Sequence, residues 1–228
     1  MSEILDNVTW YALTGPQARF AVGSGAVRRY ADGFPALVAF ESPQAPDLNA
    51  LAGLCDPDQH VFCPEWNGNP PDGWVIHLEK PAFRMVWQGR MPDTDAFPDA
   101  IPLGPEHAPE ALALAQLTNP GPFDIRTIEL GDYFGWFEKG RLASMAGERM
   151  HAGSYREISG ICTHPDFRGR GLALRLTLKM IRHLLLRGET PFLHVMADNT
   201  AARRLYLEMG FVDYCDTTLR VISRQDRT

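Results

Sequence analysis

A short turn between residues 164 and 173 combines glycine with arginine in a way that suits anion binding. The turn is HPDFRGRGLA, with arginine at 168 and 170, glycine at 169 and 171, and an apolar run directly after it. Glycine lets the backbone approach a ligand closely, and arginine adds positive charge. A helix that begins at Leu172 would point its unpaired amides and the positive end of its dipole at the turn. The turn therefore predicts a diphosphate cradle, with an ordinary surface turn as the alternative.

Regular elements flank this turn on both sides. YREISGICT, residues 155–163, predicts a strand whose alternation places Glu157, Ile161 and Thr163 on one face and Cys162 on the other. After the turn, leucines and isoleucine recur with the period of a helix, and Gly188 ends the run. Strand, turn and helix follow in the order that a cradle at a helix N-terminus requires.

The rest of the second half predicts further strands and helices. AIPLGPEHAPEALALAQL indicates a short strand and then a helix starting near His107 or Pro109, and YFGWFEKGRLASMAGERM indicates a hairpin. PFLHVM is typical of a buried strand. NTAARRLYLEMG predicts a helix with Asn199 as its N-cap and Gly210 after its end. FVDYCDT and TLRVISR predict two closing strands, most simply an antiparallel pair. Together these elements indicate an α/β domain with a mixed sheet.

The first part of the chain predicts a smaller α/β unit. ARFAVGSG and PALVAFES suggest short strands, PDLNALAGL a helix, and WVIHLE and FRMVWQ two more strands. MPDTDAFPDAIPLGP mixes proline and aspartate as connections do. We therefore expect two domains, 1–95 and 96–228.

Composition and charge favour a globular protein of the cytoplasm. The 228 residues are 45% hydrophobic, but no apolar stretch approaches the ~20 residues that span a bilayer, and MSEILDNVTW shows no export signal. We therefore expect no membrane contact. Residues 1–95 carry 6 Lys and Arg against 12 Asp and Glu, while residues 96–228 carry 16 of each. The acidic first part argues against a nucleic-acid partner, whereas the basic stretch 168–187 suits a small phosphorylated ligand.

Cysteine and glycine patterns exclude several other site types. The four cysteines contain no CxxC pair, and we expect Cys55, His60, Cys63 and His77 to be loop or core residues and no metal to be bound. No GxxxxGK string is present, which excludes the common nucleoside triphosphate loop. GSGAVR, residues 23–28, lacks a third glycine and indicates a tight turn rather than a dinucleotide site.

The second half as a whole resembles the GNAT superfamily of acyl-CoA-dependent N-acetyltransferases, over roughly residues 96–228. Three features carry the resemblance: the strand EISGICTHP, the signature (Q/R)xxGx(G/A) at 168–173, and the late segment NTAARRLYLEMGF. The two-part chain looks most like the bacterial branch that is similar to glycine N-acyltransferase. The resemblance implies a GNAT-type mixed central sheet with flanking helices, preceded by a smaller divergent α/β domain.

The resemblance also implies acetyl-CoA as co-substrate and gives positions for binding it. Backbone groups of three strand residues would run beside the pantetheine arm, and amides of the turn would hold the pyrophosphate. Asn199 matches an asparagine that contacts the pantetheine side, although a helix cap without a ligand is the alternative. The implied cofactor-binding residues are Ile161, Cys162, Thr163, Arg168, Gly169, Arg170, Gly171, Leu172, Ala173 and Asn199.

Two further residues match catalytic positions of the superfamily. Glu157 matches a glutamate that serves as general base in some members, with a surface ion pair as the alternative and Glu148, His151 or solvent in reserve. Tyr206 matches the tyrosine that often protonates the CoA sulfur, with a core tyrosine as the alternative. Covalent transfer through Cys162 is the less simple route, because the sequence places no histidine beside it.

These features imply an N-acetyltransferase whose primary amine attacks the thioester directly. The alternative is a non-catalytic acyl-CoA-binding sensor or interaction module. A small-molecule or peptide amine is the expected partner, and the acidic first part suggests a cationic acceptor such as a polyamine, a basic peptide or an aminoglycoside. The sequence leaves a homodimer open.

Overall fold

Two sheets organise the computed structural model, which describes residues 3–66 and 68–225. The helices are α1 (Glu3–Asp6), α2 (Val8–Thr14), α3 (Leu48–Ala52), α4 (Ala108–Thr118), α5 (Leu172–Leu186) and α6 (Thr200–Met209). The strands are β1 (Ala21–Val22), β2 (Val27–Tyr30), β3 (Val38–Phe40), β4 (Val61–Pro64), β5 (Trp74–Trp87), β6 (Ile101–Pro102), β7 (Tyr133–Glu138), β8 (Arg141–Ala152), β9 (Tyr155–Thr163), β10 (Thr190–Met196) and β11 (Phe211–Arg224).

The larger sheet is mixed and has helices on both faces. Its eight strands run in the order β4-β11-β5-β10-β9-β8-β7-β6, and the smaller sheet is β1-β2-β3. Helices α5 and α6 pack on one face of the large sheet through a core that includes Leu176, Met180 and Tyr206. Helix α4 packs on the opposite face, where α1 and α2 also lie. This is the predicted α/β architecture with a mixed central sheet and flanking helices.

Capping residues set the ends of the main helices. The backbone of Gly171 is left-handed at the start of α5, with φ of 71°, and Gly188 follows its last turn. The side chain of Asn199 accepts a hydrogen bond from the amide of Ala202, and Gly210 is left-handed at the end of α6. These residues fix where α5 and α6 begin and end, and the predicted extents of both helices are confirmed.

Two pairs of predicted strands are single long strands. WVIHLE and FRMVWQ are both part of β5, and FVDYCDT and TLRVISR are both part of β11, so the closing antiparallel pair was wrong. Pro81 lies within β5 but does not interrupt the strand, and its position in the sheet explains why. The carbonyl oxygen of Pro81 accepts a hydrogen bond from the amide of Ala197, which lies one residue past the end of β10. An N–H at Pro81 would point the same way as this carbonyl, beyond the last residue of β10, so the missing N–H removes no hydrogen bond between β5 and β10. In the first part, the predicted strand ARFAVGSG begins with a helical turn, Ala18–Phe20, and only Ala21–Val22 form a strand, β1.

The predicted boundary near residue 95 falls in the connection between β5 and β6, but the large sheet crosses it. β4 and β5 precede the boundary, and they pair with β11 and β10, which follow it. A cut at residue 95 would therefore separate neighbouring strands of one sheet. Folding of 1–95 and 96–228 as separate domains stays a prediction.

The four residues considered as zinc ligands have other surroundings. Cys55 and Cys63 are buried in the core beside Trp66 and Trp74. The rings of His60 and His77 stack with centroids 4.2 Å apart. None of the four belongs to a metal-type cluster within the part of the chain that the structure describes. In the same part of the chain, every helix is too short or too polar to cross a bilayer.

Candidate active site

The centre of the large sheet opens between β9 and β10. These parallel strands pair only from Thr190 to Phe192 with residues 155–157, although β9 continues to Thr163 and β10 to Met196. Beyond Glu157 the two strands are no longer paired with each other. The sheet therefore contains a wedge-shaped gap with Glu157 at its apex, and such a gap exposes backbone groups that an extended ligand can use.

Every residue predicted to bind the cofactor lines one cavity at the open end of this gap. The cavity has a volume of about 500 Å³ and includes the three strand residues 161–163, the turn 168–173 and Asn199. The structure thus brings together segments that are up to about 40 residues apart in sequence. We call this cavity the cradle.

The turn presents free backbone donors to the cradle. The first backbone hydrogen bond of α5 runs from the amide of Arg175 to the carbonyl of Gly171, at 3.0 Å. Within the described residues, the amides from 169 to 174 donate to no backbone carbonyl. Gly169 and Gly171 have φ of 75° and 71°, and a Cβ built on either would meet open space. Free amides, a helix N-terminus and open space beside two glycines suit an anion such as a diphosphate.

The two arginine side chains of the turn contribute less charge to the cradle than the sequence suggested. Arg170 forms an ion pair with Glu138, at 2.8 Å. Arg168 lies 3.4 Å from the carbonyl oxygen of Thr163, with its side chain at the surface. The backbone amides are therefore the main anion-binding groups, and Arg168 is the more available cation.

A second cavity, of about 890 Å³, lies mainly on the opposite side of the gap, and we call it the acceptor cavity. Ile161 and Asn199 line both cavities, so the two meet in the gap. Its walls include the loop 119–124 and, from the first part of the chain, residues 35–37. Residues from before position 95 therefore shape this cavity.

Glu157 lies at the wall of the acceptor cavity as part of a buried ion pair. Its carboxylate accepts two hydrogen bonds from Arg149, at 2.8 and 2.5 Å. His194 belongs to β10, on the other side of the apex, and its Nδ1 lies 2.8 Å from the same carboxylate. Burial raises the pKa of Glu157, but the charge of Arg149 and the hydrogen bond with His194 outweigh burial and lower it to about 2. Glu157 is thus a fully ionised hydrogen-bond acceptor at neutral pH.

His194 connects Glu157 to a second buried ion pair. Arg84 donates from Nε to Nε2 of His194, at 2.9 Å, and from Nη2 to Glu65, at 2.5 Å. Since arginine can only donate, Nε2 must be unprotonated, and Nδ1 carries the proton that Glu157 accepts. Burial lowers the pKa of His194, which keeps the ring neutral. The resulting chain of two arginines, two glutamates and one neutral histidine carries no net charge.

Tyr206 projects from α6 to the acceptor cavity. The residue is 9% exposed, and within the described residues its hydroxyl has no hydrogen-bond partner. Burial raises its pKa to about 12. The phenol is therefore protonated at neutral pH and free to donate.

The predicted alternation of β9 fails at Gly160. Between Ser159 and Cys162 the register with β8 shifts by one residue, and Gly160 has φ of 62°, which marks a β-bulge. After the bulge the two faces exchange. Ile161 now packs on the α5 side of the sheet, whereas Cys162 packs with α4. The expectation that Glu157 shares a face with Ile161 was therefore wrong.

Two predicted cofactor residues also make internal contacts. Cys162 is buried, and burial raises the pKa of its thiol to about 12, so it is a poor nucleophile at neutral pH. The side chain of Asn199 caps α6 and lines both cavities, so capping and ligand contact are compatible.

The reserve candidates for the base lie away from the site. Within the described residues, neither Glu148 nor His151 lines the cradle or the acceptor cavity. Glu148 belongs to a cluster with Asp132 and His183 that could in principle hold a metal. Arg187 already binds both carboxylates, at 2.5 Å from Asp132 and 2.7 Å from Glu148, so the cluster is an ion-pair network.

Arg149, His194 and the loop 119–124 are site residues that were not predicted from the sequence. The available signal was His194 within the otherwise apolar run PFLHVM, and Arg149 next to Glu148 on β8, because a buried polar side chain needs a partner. Their common partner could not be identified, since it lies on another strand.

Comparison with known proteins decides the family. A putative acetyltransferase of the GNAT family from Novosphingobium aromaticivorans has a solved structure that is 36% identical to this chain. The match covers 99% of this chain and all of the other, with a TM-score of 0.87. The chain belongs to the GNAT family. A family model described as FR47-like protein matches residues 133–221 of this GNAT protein, which include β9, the cradle turn and α6.

Two curated relatives match part of the GNAT protein. The mycothiol acetyltransferase of Mycolicibacterium smegmatis is 30% identical over 141 residues, and that of Saccharomonospora viridis is 28% identical over 108. The matches cover 53% and 39% of this chain. The chain spans 48% and 35% of the length of these relatives. Membership of the branch similar to glycine N-acyltransferase is untested by these matches and stays a prediction.

Proposed function

We propose that this GNAT protein is an N-acetyltransferase that uses acetyl-CoA and transfers the acetyl group directly to a primary amine. One observation carries the proposal. The cradle and the acceptor cavity meet in the gap between β9 and β10, where Ile161 and Asn199 line both. Two ligands can therefore approach each other there from opposite sides of the sheet.

The residues present fit acetyl-CoA. Free amides at 169–174 would bind the pyrophosphate, and the exposed edge of β9 at 161–163 would run beside the pantetheine arm. The bound co-substrate supplies an activated acyl group and a thiolate leaving group. No metal is needed for either role, and none is proposed.

Direct transfer forms a bond between the amine nitrogen and the carbonyl carbon and breaks the carbon–sulfur bond. The nitrogen loses a proton, and the sulfur gains one. The hydroxyl of Tyr206 is suited to donate toward the sulfur because it is protonated at neutral pH and unpaired within the described residues. The buried thiol of Cys162 favours direct attack over a covalent route.

The role that we propose for Glu157 differs from a strong general base. A carboxylate with a pKa of about 2 has little affinity for a proton at neutral pH. It can nevertheless accept a hydrogen bond from the attacking amine or from a water molecule, since carboxylate oxygens accept several bonds. We propose that Glu157 orients the amine or that water, and that the proton leaves to solvent.

A test follows thiol release from acetyl-CoA in the presence of a library of primary amines, with mass spectrometry of the products. The proposal predicts release that depends on the amine and a product heavier by one acetyl group. Tight binding of acetyl-CoA without release for any amine would contradict it and would support the alternative of a non-catalytic sensor.

A further inference from the structure

The floor of the acceptor cavity crosses the large sheet. It runs from Ile161 on β9 past Met196 on β10, Ala82 on β5 and Leu219 on β11 to Phe62 on β4. Paired strands lie about 4.8 Å apart, so the three steps from β10 to β4 span about 14 Å, and the unpaired step across the gap from β9 to β10 adds to that length. The cavity is therefore a groove, long enough for an extended molecule whose reactive end lies in the gap.

The groove contains little uncompensated negative charge. Among the described lining residues, the only carboxylates are Asp124 and Glu157, and Arg149 neutralises Glu157. Lys80 adds a positive charge to the wall, although its Nζ also lies 2.7 Å from Asp198. An acceptor molecule with several positive charges could pair only one of them with a carboxylate of the groove, that of Asp124. Its other charges would lose water without gaining a partner, which is unfavourable.

The acidic first part of the chain does not supply the missing charge. Residues 1–95 contribute residues 35–37, the four residues Gln59, His60, Phe62 and Pro64, and alternate residues of β5 from 78 to 82 to the groove. Within the described residues, none of these contributed side chains is an aspartate or a glutamate, and most are apolar. The net negative charge of this part therefore lies outside the groove, which argues against the cationic acceptors that the sequence suggested.

We infer that the acceptor is a primary monoamine on an elongated, uncharged and largely apolar body that lies across the five strands. This inference rests on the proposed function. The amine lies at the gap beside Asn199, and the far end of the body reaches Phe62 and Leu78. These two residues both flank Val221 of β11, which places them together at the distal end.

The first measurement compares kcat/KM for ethylamine, butylamine and octylamine with that for spermine and an aminoglycoside. Burial of each added methylene should raise kcat/KM about threefold to fourfold until the groove is filled. Spermine and the aminoglycoside should be poorer substrates than octylamine.

The second measurement uses a variant at the distal end. Leu78 is 37% exposed, so Leu78→Lys should fold, and it should lower the ratio of kcat/KM for hexadecylamine, whose chain is long enough to reach Leu78 from the gap, to that for ethylamine about tenfold. The matched control is Ile101→Lys, at a strand residue that is 45% exposed on the opposite edge of the sheet. The control should keep the ratio of the unmodified chain.

The outcomes separate this inference from the proposed function. Release with every amine at equal efficiency, or best with spermine or the aminoglycoside, would overturn the inference and leave the acetyltransferase proposal intact. An unchanged ratio in Leu78→Lys would also overturn it. Absence of release with all amines, with acetyl-CoA bound, would overturn the proposed function and the inference with it.

Discussion

The buried pair of Arg149 and Glu157 makes the acceptor side of the site sensitive to one substitution. Glu157→Gln keeps the size of the side chain but leaves the guanidinium of Arg149 buried without its compensating charge. The pKa of Glu157 falls from 4.5 to about 2 in the fold, which corresponds to about 3 kcal/mol of stability. Removing one partner of a buried pair typically costs about 3–5 kcal/mol. The free energy of unfolding of Glu157→Gln should therefore be lower by about 3 kcal/mol.

Urea denaturation at pH 7, followed by tryptophan fluorescence, measures this loss. The matched control is Asp166→Asn, the same carboxylate-to-amide change in a surface pair. Asp166 lies 3.0 Å from Arg141, and the two side chains are 63% and 55% exposed. Surface pairs contribute about 0–1 kcal/mol, so the control should stay close to the unmodified chain.

The pH dependence gives a second readout of the same pair. The pKa of Glu157 is lower in the folded chain than in the unfolded chain, so its contribution is present above about pH 4.5 and is lost as the pH falls towards 2. Glu157→Gln should lack this part of the acid sensitivity. A loss below 1 kcal/mol at pH 7, equal to that of Asp166→Asn, would refute the claim that the ion pair is buried and mutually dependent.

Other substitutions test neighbouring parts of the site. Tyr206→Phe should change acetyl-CoA affinity by no more than about twofold and lower kcat about 100-fold in the thiol-release assay, as expected for loss of a general acid. An unchanged kcat would show that Tyr206 is a core residue without a catalytic role. Gly160→Ala should lower the free energy of unfolding by about 2 kcal/mol, because its φ is 62° and the added Cβ would lie 3.1 Å from the ring of Tyr133. Gly140→Ala, with φ of 75° and open space, is its control, and an equal loss in both would show that the contact with Tyr133 is unimportant.

The sequence alone predicted those parts of the fold that depend on interactions between residues close together in the chain. Helices α5 and α6 follow from a clear period together with Gly171, Asn199 and Gly210 at their ends, where backbone geometry and capping act over a few residues. The cradle also follows from local pattern, because its glycines and its helix N-terminus are adjacent in the chain. The family resemblance then placed the strand residues 161–163 beside it, and they line the same cavity.

The remaining features depend on contacts between distant segments. The bulge at Gly160 breaks the strict alternation on which the facing of Glu157 was based, and a glycine within a strand signals such a bulge only weakly. The low pKa of Glu157 depends on Arg149 and His194, which lie on two other strands. Pro81 lies beyond the end of β10, which no local rule reveals.

Calorimetric titration of acetyl-CoA into Gly171→Asp tests the central claim, that the turn before α5 binds the diphosphate. An aspartate there would put negative charge and bulk against the free amides, and we expect Kd to rise at least 100-fold. Gly188→Asp is the control, because Gly188 also has a positive φ, 75°, and open space, but lies at the other end of α5. It should bind acetyl-CoA as the unmodified chain does. Equal affinity in Gly171→Asp and Gly188→Asp would contradict the account.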